Sequence, residues 1–374
     1  MKLIAFYLPQ FHAIPENDEW WGKGFTEWAN TTKAKPLFEG HHQPREPYND
    51  FYYNLLDPEA RRWQAEIAKE YGIYGFCYYH YWFKGKKLLE KPLEQVIDSG
   101  EPDLPFCLSW ANGSWTRAWD AKDKQVLIKQ EYGDKSDWEE HFNYLLTIFK
   151  DKRYIKVDNK PLFVIYRPAL MDRCDEMLEF WNELAKKNGL DGIYFVNTLS
   201  AFEERTNHHN FDAQLEFEPN FTVFNQMDPL FATWRKAYKR IAGSEALPTS
   251  LRKLFLVRIS YSRIWSKILS RVPGTKKTFL GAFVDWDNSA RKGYNAYIFE
   301  GASPKKFENY LVQQIKRSKE IYKSEFLFIN AWNEWAEGAY LEPDKKYGYA
   351  YLKAVRNAIA RMEQSSTSSH RSDR

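Results

Sequence analysis

Eight short apolar runs recur along this chain, each ending in polar or aromatic residues, and they constrain its fold more than any other feature. They occupy residues 3–7, 75–79, 105–110, 161–166, 193–197, 213–217, 279–284 and 326–331. Runs of this length and composition read as buried strands. Several intervals between them read as helices. Residues 58–71 place Trp63, Ile67 and Tyr71 at helical spacing and end at Gly72, and 136–149 open on Ser136 as a cap. Residues 171–188 end at Gly189, and 303–322 begin with Pro304 at the first helical position. Alternating strands and helices imply a parallel sheet, and eight repeats imply a closed (β/α)8 TIM barrel. A length of 374 residues suits such a barrel. Residues 1–362 read as one domain with long βα loops, and 363–374 as a polar tail expected to be disordered. No GxGxxG or GxxxxGK[ST] follows the first run, which argues against a nucleotide-binding open sheet.

In a barrel of this type, catalytic groups collect at the C-terminal ends of the strands. The first run leads from Tyr7 into Gln10, His12 and a loop with Trp20, Trp21, Glu27 and Trp28. Tyr79, His80 and Tyr81 follow the second run; Trp110, Asn112, Trp115, Arg117, Trp119 and Asp120 follow the third. Tyr166 and Arg167 come after the fourth, Asn197 after the fifth, and Glu216 with Glu218 after the sixth. The seventh gives Asp285, Trp286, Asp287 and Asn288. The eighth runs into Trp332, Asn333, Glu334, Trp335 and Glu337. Polar and aromatic groups are thus expected on one rim.

Glu334 and Glu337 are the candidate catalytic pair. Three apart, they share one side of a helical turn and could face one bound molecule. An isolated ExxE also suits a helix start, where carboxylates oppose the positive end; the flanking Trp332, Asn333 and Trp335 point instead to carbohydrate. Aromatic residues make up 17% of the chain, and their faces pack well on the C–H faces of sugars. Breaking a glycosidic bond needs a proton for the leaving oxygen and a carboxylate at the anomeric side. Tyr7, His12, Trp28, Tyr79, His80, Tyr81, Trp110, Asn112, Trp115, Tyr166, Asn197, Glu216, Glu218, Trp286, Asp287, Trp332 and Asn333 are the candidate substrate-binding residues. For His80 the alternative is a satisfied packing histidine. Glu216 and Glu218 share one face of their strand, pointing inward to substrate or outward to solvent.

A formal charge of +4 is too small to imply nucleic acid. Cys77, Cys107 and Cys174 suggest neither a disulfide framework nor a zinc site, and Asp285 with Asp287 form only a bare DxD, so no metal or cofactor is expected. The N-terminus, MKLIAFYLPQFH, turns polar too quickly for a signal peptide, and no apolar run is long enough to span a membrane. A cytoplasmic location is expected. Residues 234–277 carry twelve Lys and Arg against Glu245 alone, with apolar residues at roughly helical spacing. They read as basic amphipathic helices inserted before the seventh strand. Such helices could contact an anionic membrane on its inner face or an anionic lipid-linked glycan, or form an ordinary barrel helix with a solvated basic face.

Five stretches in order, GKGFTEW (22–28), YGIYGFCYYHYWF (71–83), SWANGSWTRAWD (109–120), VDWDNSARK (284–292) and NAWNEWAEGAYLEPD (330–344), resemble the WbsX-type polysaccharide-locus proteins related to glycoside hydrolase family 99. The resemblance spans most of residues 1–360. It implies a (β/α)8 catalytic domain acting on an oligosaccharide or polysaccharide of the bacterial surface. Family 99 enzymes are retaining endo-α-mannosidases and endo-α-mannanases whose catalytic carboxylates lie on an ExxE motif after the last strand, matched here by Glu334 and Glu337. In that pattern the first carboxylate deprotonates the sugar 2-hydroxyl, giving a 1,2-anhydro intermediate, and the second is the general acid and later base. The family's third-strand motif usually reads WANENW; this chain has Gly113 and Ser114 there, so a carboxylate that can touch substrate is missing. Three classes of function stay open at this point: a retaining hydrolase or transglycosidase, a glycosyltransferase using an activated or lipid-linked donor, and a glycan-binding protein without catalysis.

Overall fold

The computed structural model describes residues 1–117, 122–201, 209–244 and 246–372. Eight parallel strands close into a barrel: β1 (Lys2–Tyr7), β2 (Gly75–Phe83), β3 (Phe106–Trp110), β4 (Lys160–Ile165), β5 (Tyr194–Leu199), β6 (Ala213–Glu216), β7 (Thr278–Phe283) and β8 (Phe326–Asn330). Each pairs with its sequence neighbour, and β1 closes the ring by pairing with both β2 and β8, with Ile4 opposite Phe328 on one side and Gly75 on the other. Each expected run holds a strand, with ends shifted by a few residues.

The helices follow their local chemistry. α1 (Pro58–Glu70) starts with Asp57 accepting from the Glu59 amide and Pro58 in its first turn. α2 (Lys91–Ser99) precedes β3. α3 (Lys135–Phe149) is capped by Asp134 in a capping box with Asp137, so the cap lies two residues before the expected Ser136. α4 is Cys174–Lys187. Between β6 and β7 the basic stretch forms α5 (Pro229–Ala242), α6 (Thr249–Leu254), a short strand Val257–Ser260 and α7 (Tyr261–Ser270). The short strand pairs with Tyr297–Glu300 outside the barrel. α8 (Pro304–Glu320) is capped by Ser303, and α9 (Ala350–Ser372) runs through residues 363–372 of the segment expected as a disordered polar tail.

Aromatic residues fill the barrel. Phe6 contacts Phe217 at 5.0 Å and Phe328 at 5.8 Å between ring centres, and Tyr79 stacks on Phe6 at 5.6 Å. Alternation along a strand then sends neighbouring side chains outward to the helices. Gly281 is required in β7, because a Cβ there would meet the Glu216 carbonyl oxygen at 1.9 Å. Among the described residues, no helix is long and apolar enough to cross a membrane, and no cluster of His, Cys, Asp or Glu could hold a metal ion.

Candidate active site

The sequence after β8 makes a small hairpin rather than a helix start. Asn333–Glu334 pairs antiparallel with Ala339–Tyr340 across a 3₁₀ turn, Trp335–Glu337, and Gly338 closes it at φ +65°. Side chains three apart eclipse in a 3₁₀ turn, so Glu334 and Glu337 emerge on one side. The hairpin is clamped to β1. The Leu8 amide donates to Asn333 Oδ1 at 2.7 Å, and Asn333 Nδ2 donates to the Leu8 carbonyl at 3.0 Å.

Arg291 joins the two carboxylates. Its Nη1 donates to Glu337 at 2.7 Å and its Nη2 to Glu334 at 3.0 Å, while Nε donates to Glu27 at 2.8 Å. Three carboxylates therefore meet one guanidinium. Burial pushes the Glu334 carboxyl up to about 8, against the pull of Arg291 and with Glu337 and Glu27 adding to the rise. Burial likewise raises Glu27, opposed by Arg291. Burial works against the Arg291 charge, but Glu27, Glu337 and Glu334 outweigh it and hold the guanidinium well above its ordinary value. Burial thus favours the protonated form of Glu334, while Arg291 keeps its charge.

Tyrosines surround the cluster. Burial first, and then the Glu334 charge, raises the hydroxyls of Tyr79 and Tyr81, and Glu337 acts in the same way on Tyr166 and Tyr297. Tyr166 packs on Phe217 at 5.5 Å, so these rings stand directly above the barrel's aromatic floor. Trp115 meets Tyr81 edge-on at 5.2 Å. Together with Gln10, Trp21 and Ser114 they line a cleft of about 220 Å³. The Gln10 amide nitrogen is buried there without a hydrogen-bond partner.

Glu334, Glu337, Tyr79, Tyr81, Tyr166 and Trp115 are therefore brought together, and other expected binding residues lie elsewhere. Tyr7 donates to Gln64 on α1 at 2.6 Å, and His12 bonds the Pro9 carbonyl, its pKa lowered by burial to about 4. Trp28 packs between Phe11, Tyr53 and Trp335 and donates to the Tyr53 carbonyl. His80 faces α3, where its Nε2 meets His141 Nε2 at 2.8 Å, and burial lowers it to about 3. Trp110 is buried against His141 and Trp181, and Trp332 packs on Phe76. Asn112 bonds the Arg167 amide and carbonyl, tying two rim loops together. Asn197 is half-buried and shares the outward parity of Phe195. Trp286 stacks on Tyr297 at 5.5 Å, behind the cluster. Asp287 accepts from Gln43 at 2.7 Å and pairs with His41 at 2.9 Å. Burial pushes it up, but His41 and Arg45 bring it down to about 2. Trp119 and Asp120 lie outside the described residues.

Glu216 and Glu218 take neither expected arrangement, being outward but buried. Arg271, just past α7, spans them at 2.5 Å and 2.9 Å, and Thr222 donates to Glu218. Burial raises Glu216 to about 7 even against that cation.

Glu27 and Arg291 were not among the expected site residues. Their signal was a charge inside two aromatic motifs, GKGFTEW and VDWDNSARK; a separation of 264 positions hides the pairing.

Together the fold and the site define a (β/α)8 barrel whose mouth gathers tyrosine and tryptophan around paired carboxylates. The chain belongs to the family described as glycosyltransferase WbsX, whose family model matches residues 3–355. It is 37% identical over 362 residues to the uncharacterized protein WxcX of two Xanthomonas campestris strains, covering 96% of this chain and 50% of the relative. The chain thus spans about half the length of the curated relatives it matches. Among solved structures, a GH99 endo-alpha-mannosidase from Bacteroides thetaiotaomicron superposes with a TM-score of 0.56 at 12% identity, covering 98% of both chains. A glycoside hydrolase-like protein gives 0.55 at 12% identity, covering 96% of this chain and 93% of that one. At such identity the likeness concerns the fold.

Proposed function

We propose that the chain is an endo-acting, retaining glycoside hydrolase or transglycosidase on a bacterial cell-surface polysaccharide, with Glu334 and Glu337 as its catalytic pair. The observation that carries this reading is the single guanidinium spanning both carboxylates at the barrel mouth. Bonded to one guanidinium, both carboxyls lie within reach of a single glycosidic bond, as a catalytic pair requires.

In the proposed cycle substrate binding moves the proton held by the pair from Glu334 to Glu337, the more exposed of the two, and Glu337 passes it to the leaving glycosidic oxygen. Glu334, once ionised, takes the proton of the sugar 2-hydroxyl, whose oxygen closes on C1 as the glycosidic bond breaks. A carboxylate with a pKa near 8 is a stronger base for that hydroxyl than an ordinary one. Water or an acceptor hydroxyl then opens the 1,2-anhydro ring at C1, losing its proton to Glu337, while Glu334 returns its proton to O2. Arg291 offsets the negative charge that Glu334 gains on ionising. The test is incubation of a purified surface polysaccharide with wild type, Glu334→Gln and Glu337→Gln, followed by mass spectrometry of released oligosaccharides. Loss of release in both variants is expected; near-wild-type turnover in both removes the assignment.

A second reading, sugar transfer from an activated or lipid-linked donor, draws support from the family's description as glycosyltransferase. Consumption of such a donor, with no cleavage of polysaccharide, decides for it.

A further inference from the structure

The insertion between β6 and β7 is set apart from the rest of the molecule by charge. Residues 229–277 hold twelve Lys and Arg and one Glu, a formal +11, so the remainder of the chain carries −7 against a total of +4. Some of this charge is spent internally, Arg258 on Glu300 and Arg271 on Glu216 and Glu218. Lys236, Arg240, Lys253 and Lys267 remain on the exposed surface.

The same surface exposes large apolar side chains. Leu230 is 81% exposed, Leu254 72% and Val272 78%, and Leu251 lies one helical turn from Leu254 on α6. On α5, Leu230, Phe231, Trp234 and Tyr238 share one face, with ring contacts at 5.3 Å and 4.5 Å between successive aromatics. Leu230, Phe231 and Trp234 line an open groove of about 480 Å³ flanked by Arg258 and Arg263. Apolar side chains ringed by cations suit the boundary between lipid headgroups and acyl chains, where Trp and Phe also settle. A soluble polyanion has no use for the exposed leucines.

The insertion also touches the candidate active site. The Arg235 guanidinium lies 4.2 Å over Phe224, Phe224 contacts Tyr297 at 6.1 Å, and Tyr297 is one of the tyrosines beside Glu337.

We propose that residues 229–277 are a docking surface for an anionic phospholipid membrane, which they hold beside the mouth of the barrel. Lysines and arginines of α5–α7 attract the headgroups, and Leu230, Phe231, Trp234, Leu251 and Leu254 enter the interface. This inference does not rest on the proposed reaction.

Flotation of the full chain with vesicles tests it, using phosphatidylcholine alone and phosphatidylcholine mixed with phosphatidylglycerol. Binding is expected only to the mixed vesicles and should weaken with added salt. Lys236→Glu/Arg240→Glu/Lys253→Glu should weaken it at least ~100-fold, at roughly five-fold per charge. Leu230→Ser/Leu254→Ser should weaken it while leaving the charge intact, and retained melting temperatures show that both variants fold. Failure to bind mixed vesicles overturns the proposal. So does binding to heparin and vesicles alike that the leucine variant leaves unchanged, or self-association that the leucine variant abolishes in place of vesicle binding.

Discussion

Replacing Arg291 with Met should drive the Glu334 carboxyl further up from about 8. The guanidinium donates to Glu334 at 3.0 Å with both groups buried. Charge centres ~4 Å apart at an effective dielectric of ~20 attract by ~4 kcal/mol, or ~3 pH units. Glu27 and Glu337 compete for the same cation and offset part of this, so a rise of ~2 units is expected. Arg291→Lys keeps a charge in place and should leave Glu334 nearer its original value. The assay is NMR titration of the glutamate carboxyl carbons, with the Glu334 resonance identified by its loss in Glu334→Gln. No substrate is needed, so the result bears on the electrostatics independently of turnover. A Glu334 resonance in Arg291→Met that titrates at or below its wild-type midpoint would refute the reasoning, because it would mean that Arg291 does not stabilise the ionised form.

Glu334 should also make the protein less stable at alkaline pH. Its folded pKa of about 8 lies above the ordinary carboxyl value, so the folded state keeps a proton that the unfolded chain loses. Stability from this group is full below ~4 and falls until pH passes about 8, by up to ~5 kcal/mol. Glu334→Gln should therefore melt higher than wild type at alkaline pH, with the gap closing in acid; a constant gap contradicts the shift. Arg271→Met strands Glu216 and Glu218 in the interior and should cost ~3–5 kcal/mol in denaturant unfolding; a loss under ~1 kcal/mol would show that solvent reaches the pair. Asn333→Ala removes both bonds to Leu8 and leaves a buried amide and carbonyl unpaired, a loss of ~2–4 kcal/mol by the same measurement; an unchanged midpoint would mean that the hairpin does not need the clamp.

The barrel was legible because strands buried on both faces read as continuous apolar runs, and eight such runs leave few alternatives. The rim was legible only as a set of loops. Tyr79, His80 and Tyr81 all follow one run, yet alternation sends Tyr79 onto Phe6 and His80 onto His141. Trp110 turns outward by the same geometry. Sequence proximity to the rim gives no parity until the register is known, and a strand end displaced by one residue reverses it. The outward environment of Glu216 and Glu218 was hidden for another reason, since Arg271 lies beyond a whole inserted helical unit. The Glu pair itself was readable because its geometry is local, three residues within a single turn. Its governing cation was not.

The Asn333 clamp joins positions 325 residues apart and holds the Glu hairpin beside β1, the first strand of the barrel. During synthesis every other wall of the mouth emerges before the segment that carries Glu334 and Glu337. The place of Glu334 and Glu337 within the mouth is consequently fixed only once β8 docks on β1. Closing a contact of that span demands that almost the whole barrel between the two strands be ordered with it.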